Sequence, residues 1–320
     1  SRLTALVGYR RAREDEGLRW ARHFAWVEAW VAQTIPRLHR PSRISQLRGL
    51  WGAPELDLDA AGGLGVWSTL DLTRELADSP EAREQLLIVK HGKDDPVIHF
   101  GAAVTASELT GRSFYDSLQQ RRVGHLVVWD EASHDSPDPV LGRNWWGGWS
   151  PHADAEANVG RARPFPAFSG CSTDRDPGVG GNGKRPWSEE SGFAGAAGTA
   201  GDTGWGGEIA GSFNRGLRWR GVEESTELAR LELRVLDGSG STAPRSGYPT
   251  TGEKLDGRAP VRVDVTLRRL QAFRLAPGER VVWSFGGGLG GVLEADAEGL
   301  VTVPALPLTT DWTELRLERH

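Results

Sequence analysis

The sequence predicts an α/β unit followed by an all-β sandwich, and three stretches carry that reading. Leu86 to Val89 is a continuous run of branched apolar residues, as a buried strand of a parallel sheet requires. Ala102 to Gln120 and His125 to Trp129 follow as a helix and a second short apolar strand, completing a strand–helix–strand crossover. From Asp202 onward the pattern changes to short period-two segments separated by Gly- and Pro-containing turns, the mark of antiparallel sheets.

At 320 residues the chain has room for two cores. Ala12 to Ala32 reads as a helix with a broad apolar surface of Leu18, Phe24, Trp26, Val27 and Trp30. Arg13 and Glu14 decorate its other side, and Thr34-Ile35-Pro36 stops it. Pro41 to Trp51 is a short second helix, Glu55 to Val66 a Gly- and Asp-rich loop, and Trp67 to Ala77 a helix leading to the Leu86 strand. That strand ends in the polar turn His91-Gly92-Lys93-Asp94-Asp95-Pro96. Along Ala102 to Gln120, Val104, Leu109 and Leu118 take apolar positions and Gly111 is the weak point. The second strand runs into a loop that carries His134.

Residues 141–220 read as a Gly-, Pro- and Trp-rich loop region between an α/β part (1–140) and a β-sandwich (221–320). Trp145, Trp146, Trp149, Trp187, Trp205 and Trp219 are expected to be buried, gluing the two parts together. An aromatic platform for sugar rings or an apolar acyl group is the competing reading. Strand candidates follow at Gly207 to Trp219, Leu228 to Leu236, Val261 to Leu267, Leu270 to Leu275 and Arg280 to Phe285. Val292 to Ala295, Val301 to Val303 and Trp312 to Leu317 complete them, with turns such as Ala276-Pro277-Gly278-Glu279 between. This spacing predicts an antiparallel sandwich of the immunoglobulin or fibronectin type.

Composition removes several function classes. The formal charge of −5 with no basic run argues against a nucleic-acid partner. No apolar stretch approaches the roughly 18 residues of a transmembrane helix. The chain contains no methionine, so Ser1 is expected to be a processed or truncated end. The lone Cys171 supports neither an internal disulfide nor a metal cluster. His91, His99, His125 and His134 lack zinc-site spacing. Asp174, Asp176, Asn182 and Asp202 are oxygen ligands in Gly-rich loops and raise a calcium reading, although their spacing is not that of an EF-hand and Asx turns serve equally well. No other cofactor is expected.

The stretch from Gln85 to His134 resembles the last third of an α/β-hydrolase domain in the esterase and prolyl-oligopeptidase-like branch. There an HGxxDxxV turn supplies the triad acid and a loop after the final strand supplies the histidine. His91, Gly92, Asp95 and Ile98 fall on that turn. The resemblance therefore implies Asp95 as the acid, with Asp94 its competitor, and His134 as the base. The residue types fit the chemistry: a near-neutral histidine takes a serine's proton, and a carboxylate fixes its tautomer and stabilises the imidazolium. The segment VTLRRLQAFRLAPGERVVWSF also looks like β-domains appended to large secreted bacterial hydrolases. That likeness implies an extracellular or cell-surface location.

One component of the triad is absent from the pattern. No G-x-S-x-G occurs in the chain, and Ser1, Ser42, Ser45, Ser68 and Ser79 lack flanking glycines. The expectation is a serine hydrolase acting on an ester, peptide or glycan-linked substrate, whose nucleophile comes from an N-terminal half of the same precursor or from a separate chain. The alternative is a hydrolase-like scaffold without a working triad, serving assembly or carbohydrate attachment. Ser1 as an N-terminal nucleophile is a third reading, opposed by the helical, polar sequence that follows it. On the first reading the sandwich is dispensable for chemistry, so removing Val222 to His320 should reduce only stability or attachment.

Overall fold

The computed structural model describes residues 3–4, 72–78, 80–84, 86–92, 101–104, 110–130, 164–178, 211–214, 216–235 and 260–320, which fold mostly as β-strand. In chain order the strands are β1 (Leu3–Thr4), β2 (Leu86–Gly92), β3 (Gly124–Asp130), β4 (Phe165–Ser169), β5 (Gly211–Phe213) and β6 (Leu217–Glu224). They continue as β7 (Leu228–Val235), β8 (Val261–Arg268), β9 (Arg280–Phe285), β10 (Leu289–Glu294), β11 (Thr302–Leu308) and β12 (Thr313–Arg319). Among the described residues, four helical segments precede or lie between the early strands: α1 (Leu72–Asp78), α2 (Pro80–Arg83), α3 (Gly101–Val104) and α4 (Phe114–Gln120). The expected elements at 12–32, 41–51 and 55–66, and five of the six tryptophans of the middle region, lie outside the described residues. Trp219 is buried, as expected.

The first sheet has the order β1-β2-β3-β5. β2 and β3 run parallel, in register from Leu86 opposite Gly124 to Gly92 opposite Asp130. Both extend beyond their predicted limits, so His91 and Gly92 belong to the strand rather than to the polar turn. The crossover between them is not the single helix expected for Ala102 to Gln120. Gly111 takes a φ of +67°, which interrupts helical geometry, and Ser113 restarts the helix as an N-cap. Its hydroxyl oxygen accepts the Asp116 N–H at 3.0 Å. Leu109 falls outside the described residues, while Val104 and Leu118 are buried against the sheet. There Trp129 lies edge-on to Phe213 at 5.2 Å between ring centroids, and Tyr115 meets Phe213 the same way at 5.5 Å.

The remaining strands form two antiparallel sheets that share one core. One has five strands in the order β10-β9-β12-β7-β6, and the other has three, β11-β8-β4. Alternation explains the burial: along β7, Ala229, Leu231, Leu233 and Val235 point inward while Arg230, Glu232 and Arg234 point outward. On that outer face ion pairs join Arg220 to Glu232 at 2.5 Å, Arg230 to Glu223 at 2.6 Å and Arg316 to Glu318 at 2.6 Å. Prolines sit on edge strands, Pro166 in β4 and Pro304 and Pro307 in β11, where a missing N–H breaks no central ladder.

Three sequence expectations change here. The predicted strand Gly207 to Trp219 is two strands in two sheets. β5 pairs antiparallel with β3, β6 pairs with β7, and the chain turns between them at Asn214 with a φ of +57°. Leu270 to Leu275 is not a strand. The Glu224 carboxylate accepts the backbone N–H groups of Gln271, Ala272 and Phe273 at 2.8 to 3.0 Å and curls that segment over the core instead. Finally, residues 165–169 of the loop-rich middle form β4 and pair with β8, because Phe165 and Phe168 complete the sandwich core.

Leu86 of β2 belongs to that same core. Gly124, its register partner, is required there: a Cβ would lie 2.2 Å from the buried Phe165 ring and 3.2 Å from Leu86. Gly124→Ala is therefore expected to cost about 1–3 kcal/mol through overpacking. A urea midpoint unchanged from the parent would show that the ring can move aside.

Candidate functional site

The strand ends set the position of the predicted acid and base. In the parallel pair, His91 is opposite Trp129 and Gly92 opposite Asp130, so both strands finish level at their C-terminal edge. Asp95 follows Gly92 after two intervening residues, and His134 follows Asp130 after three. Tethers of this length reach roughly 10–14 Å from strands about 4.8 Å apart. Asp94, Asp95 and His134 themselves lie outside the described residues, so the departure points are fixed and the side chains are not. Trp129, fully buried among Tyr115 and Phe213, anchors the end of β3.

At the opposite, N-terminal end of β3 lies a polar chain that the sequence reading did not assemble. His125 of β3 is buried, with Nδ1 2.7 Å from the Val123 carbonyl and Nε2 3.1 Å from Asn214 Nδ2. A carbonyl only accepts, so Nδ1 carries the proton and Nε2 accepts from the amide. The Asn214 backbone N–H donates to Asp174 Oδ1 at 2.8 Å, and Gln119 Nε2 of α4 donates to Asp174 Oδ2 at 2.9 Å. Gln119 Oε1 in turn accepts the Gly170 N–H at 3.1 Å. His125 and Asp174 each appeared in the sequence as members of metal-like groups. Their real partner, Asn214, lies 89 residues from His125, and no local pattern announces it.

This chain accounts for Asp174 without a cation. Both of its carboxylate oxygens accept N–H groups, and Asp176 Oδ1 accepts the Gly178 N–H at 2.8 Å in an Asx turn. Asn182 and Asp202 lie outside the described residues. Among the described residues no group of three His, Cys, Asp or Glu side chains is placed to hold a metal. Cys171 is buried beside Thr173, and burial pushes its thiol up to about 11, so it is a packing residue rather than a nucleophile.

The same burial acts on the two titratable members in opposite senses. It lowers His125 to about 4, against an ordinary 6.5, and raises Asp174 to about 7, against an ordinary 3.8. Neutral His125 favours the fold at higher pH, and this contribution is lost as pH falls from about 6.5 towards 4. Protonated Asp174 favours the fold at lower pH, and this contribution is lost as pH rises from about 4 to 7. The two slopes cancel over nearly the same window. Asp174→Asn should therefore make stability fall on acidification between about pH 6.5 and 4, at up to about 1.4 kcal/mol per pH unit. Urea midpoints across that range test this, and parallel profiles for parent and variant would refute it.

No protein-family model, curated protein or solved structure matches this chain. No helix among the described residues is long and apolar enough to cross a membrane.

Proposed function

We propose that the chain supplies the acid and the histidine of a secreted α/β-hydrolase that cleaves ester or peptide bonds. Asp95 orients His134, His134 removes the proton from a serine as its oxygen attacks the carbonyl, and the same imidazolium then protonates the leaving group. The serine and the oxyanion donors come from a segment or chain beyond these 320 residues, since no G-x-S-x-G is present. The observation that supports the reading is the level, parallel pair β2 and β3, joined by α3 and α4; Asp95 and His134 follow their last residues by three and four positions in the sequence. In open α/β sheets reacting groups gather beyond the C-terminal strand ends.

Intact-mass analysis of the purified material with a fluorophosphonate probe tests the proposal. A labelled serine on an accompanying segment, with labelling abolished by His134→Ala and strongly reduced by Asp95→Asn, is the expected result. Labelling that survives His134→Ala places the base elsewhere. A single unlabelled species argues for the non-catalytic scaffold.

A further inference from the structure

We infer that β10 is the edge through which two copies of this chain pair, joining their five-stranded sheets into one continuous antiparallel sheet. The inference is independent of the hydrolase reading. Among the described residues, the large apolar side chains left exposed are Val282, Leu289 and Val292, at 38, 46 and 43%. All three lie on the β9–β10 hairpin. Val281 and Phe285 of β9 are buried in the core, so Val282 and its register partner Val292 face outward as an apolar pair. Leu289 lies opposite Phe285, on the core side of the open margin.

The other edge strands among the described residues are guarded against strand addition, and β10 is not. β11 carries Pro304 and Pro307, and β4 carries Pro166. β6 is irregular between Arg220 and Glu223 and exposes both charges, while β1 and β5 are two and three residues long. Prolines, bulges, charges and shortness are the devices that keep an edge from recruiting another strand. β10 has no proline, lysine or bulge, and its one charge, Glu294, sits at its end opposite Arg280.

The strand is also complementary to itself. A two-fold axis perpendicular to the sheet keeps each face on its own side. Centred on Val292, it sets that residue against Val292 of the second copy and extends the Val282–Val292 pair into a row of four valines. Leu293 then faces Gly291 of the second copy, whose missing side chain leaves room for the Trp283 indole: a Cβ there would lie 3.1 Å from the indole nitrogen. Glu294 faces Gly290, so no like charges meet across the join. A single strand pair is small beside the interfaces of permanent complexes, which makes the dimer concentration-dependent.

Analytical ultracentrifugation of the full chain tests this. The parent should pass from one chain mass to two as its concentration rises through the micromolar range. Val292→Lys sets two ammonium groups against each other at the axis and should stay at one chain mass with an unchanged circular dichroism spectrum. Amide exchange across 289–294 should slow with concentration in the parent. A parent that remains monomeric, or a dimer that survives Val292→Lys, overturns the inference. A monomeric parent whose β10 amides are nonetheless protected would mean that another occupant covers the edge, and overturns it as well. Should the variant fail to fold, exchange in the parent decides alone: rates across 289–294 that do not change with concentration overturn the pairing.

Discussion

Deleting residues 222–320 is expected to leave a chain that does not fold, rather than a smaller working hydrolase. The sequence alone argued for a dispensable appendage, but the structure builds the two parts through each other. Leu86 of β2, Phe165 and Phe168 of β4, and Leu217 and Trp219 of β6 are all within the sandwich core, and all would remain after the deletion. Exposing five such side chains costs about 1.5–3 kcal/mol each, a sum comparable to the whole 5–15 kcal/mol margin of an ordinary domain. The polar ties go as well. Arg83, which caps α1 through the Leu76 and Ala77 carbonyls at 2.9 and 2.8 Å, loses Glu298. Arg122 loses Asp296 and Thr302. Circular dichroism of the truncated chain is the check, and a cooperative melt would show that the first sheet and its helices stand alone.

Arg268→Ala is expected to be strongly destabilising, at about 2–4 kcal/mol, because it removes a buried guanidinium and leaves the two carbonyls it serves without that donor, while its ion-pair partner Glu84 is 34% exposed. Arg268 of β8 is 2% exposed and reaches across to the crossover. Its Nε and Nη2 donate to the Arg122 and Arg121 carbonyls at 3.0 and 3.1 Å, and Nη1 lies 3.4 Å from Glu84. A cation therefore sits at the C-terminal end of α4, where the helix dipole favours it, but it is supplied by the opposite layer. Arg268→Met keeps much of the packing while removing the charge, and paired with Glu84→Gln it should recover a substantial part of the loss. Denaturant midpoints of the three variants separate the two contributions. Equal losses for Ala and for the Met/Gln pair would show that hydrogen bonding to α4 outweighs packing.

The parts of the fold that were legible in the sequence are those with local, periodic causes. The run Leu86 to Val89 and the stretch His125 to Trp129 are strands because little but burial suits them, and alternation in β7, β8 and β12 revealed the sandwich strands. Interruptions were harder to see. Gly111 was visible as the weak point of its helix but its left-handed φ was not, and Asn214 splits a strand by holding a left-handed turn whose hydrogen-bonding partners lie far along the chain. Leu270 to Leu275 has strand composition, yet Glu224, 47 residues away from Gln271, holds the N–H groups a strand would need. For the candidate site, sequence identified the two strands. It could not assemble Gln119, His125, Asp174 and Asn214, because each belongs to a different element and carries no shared motif.

The place of β12 in the five-stranded sheet has a consequence for how the protein is made. β12 lies between β9 and β7, with Leu315 to Glu318 paired to both, yet it is synthesised after either neighbour. While the chain emerges from the ribosome, β7 and β9 each wait with an open edge facing a slot that their partner has not yet reached. Open edges recruit whatever strand arrives first. Correct folding therefore depends on a late insertion, and the interval before β12 appears is when a neighbouring nascent chain competes most directly for its place.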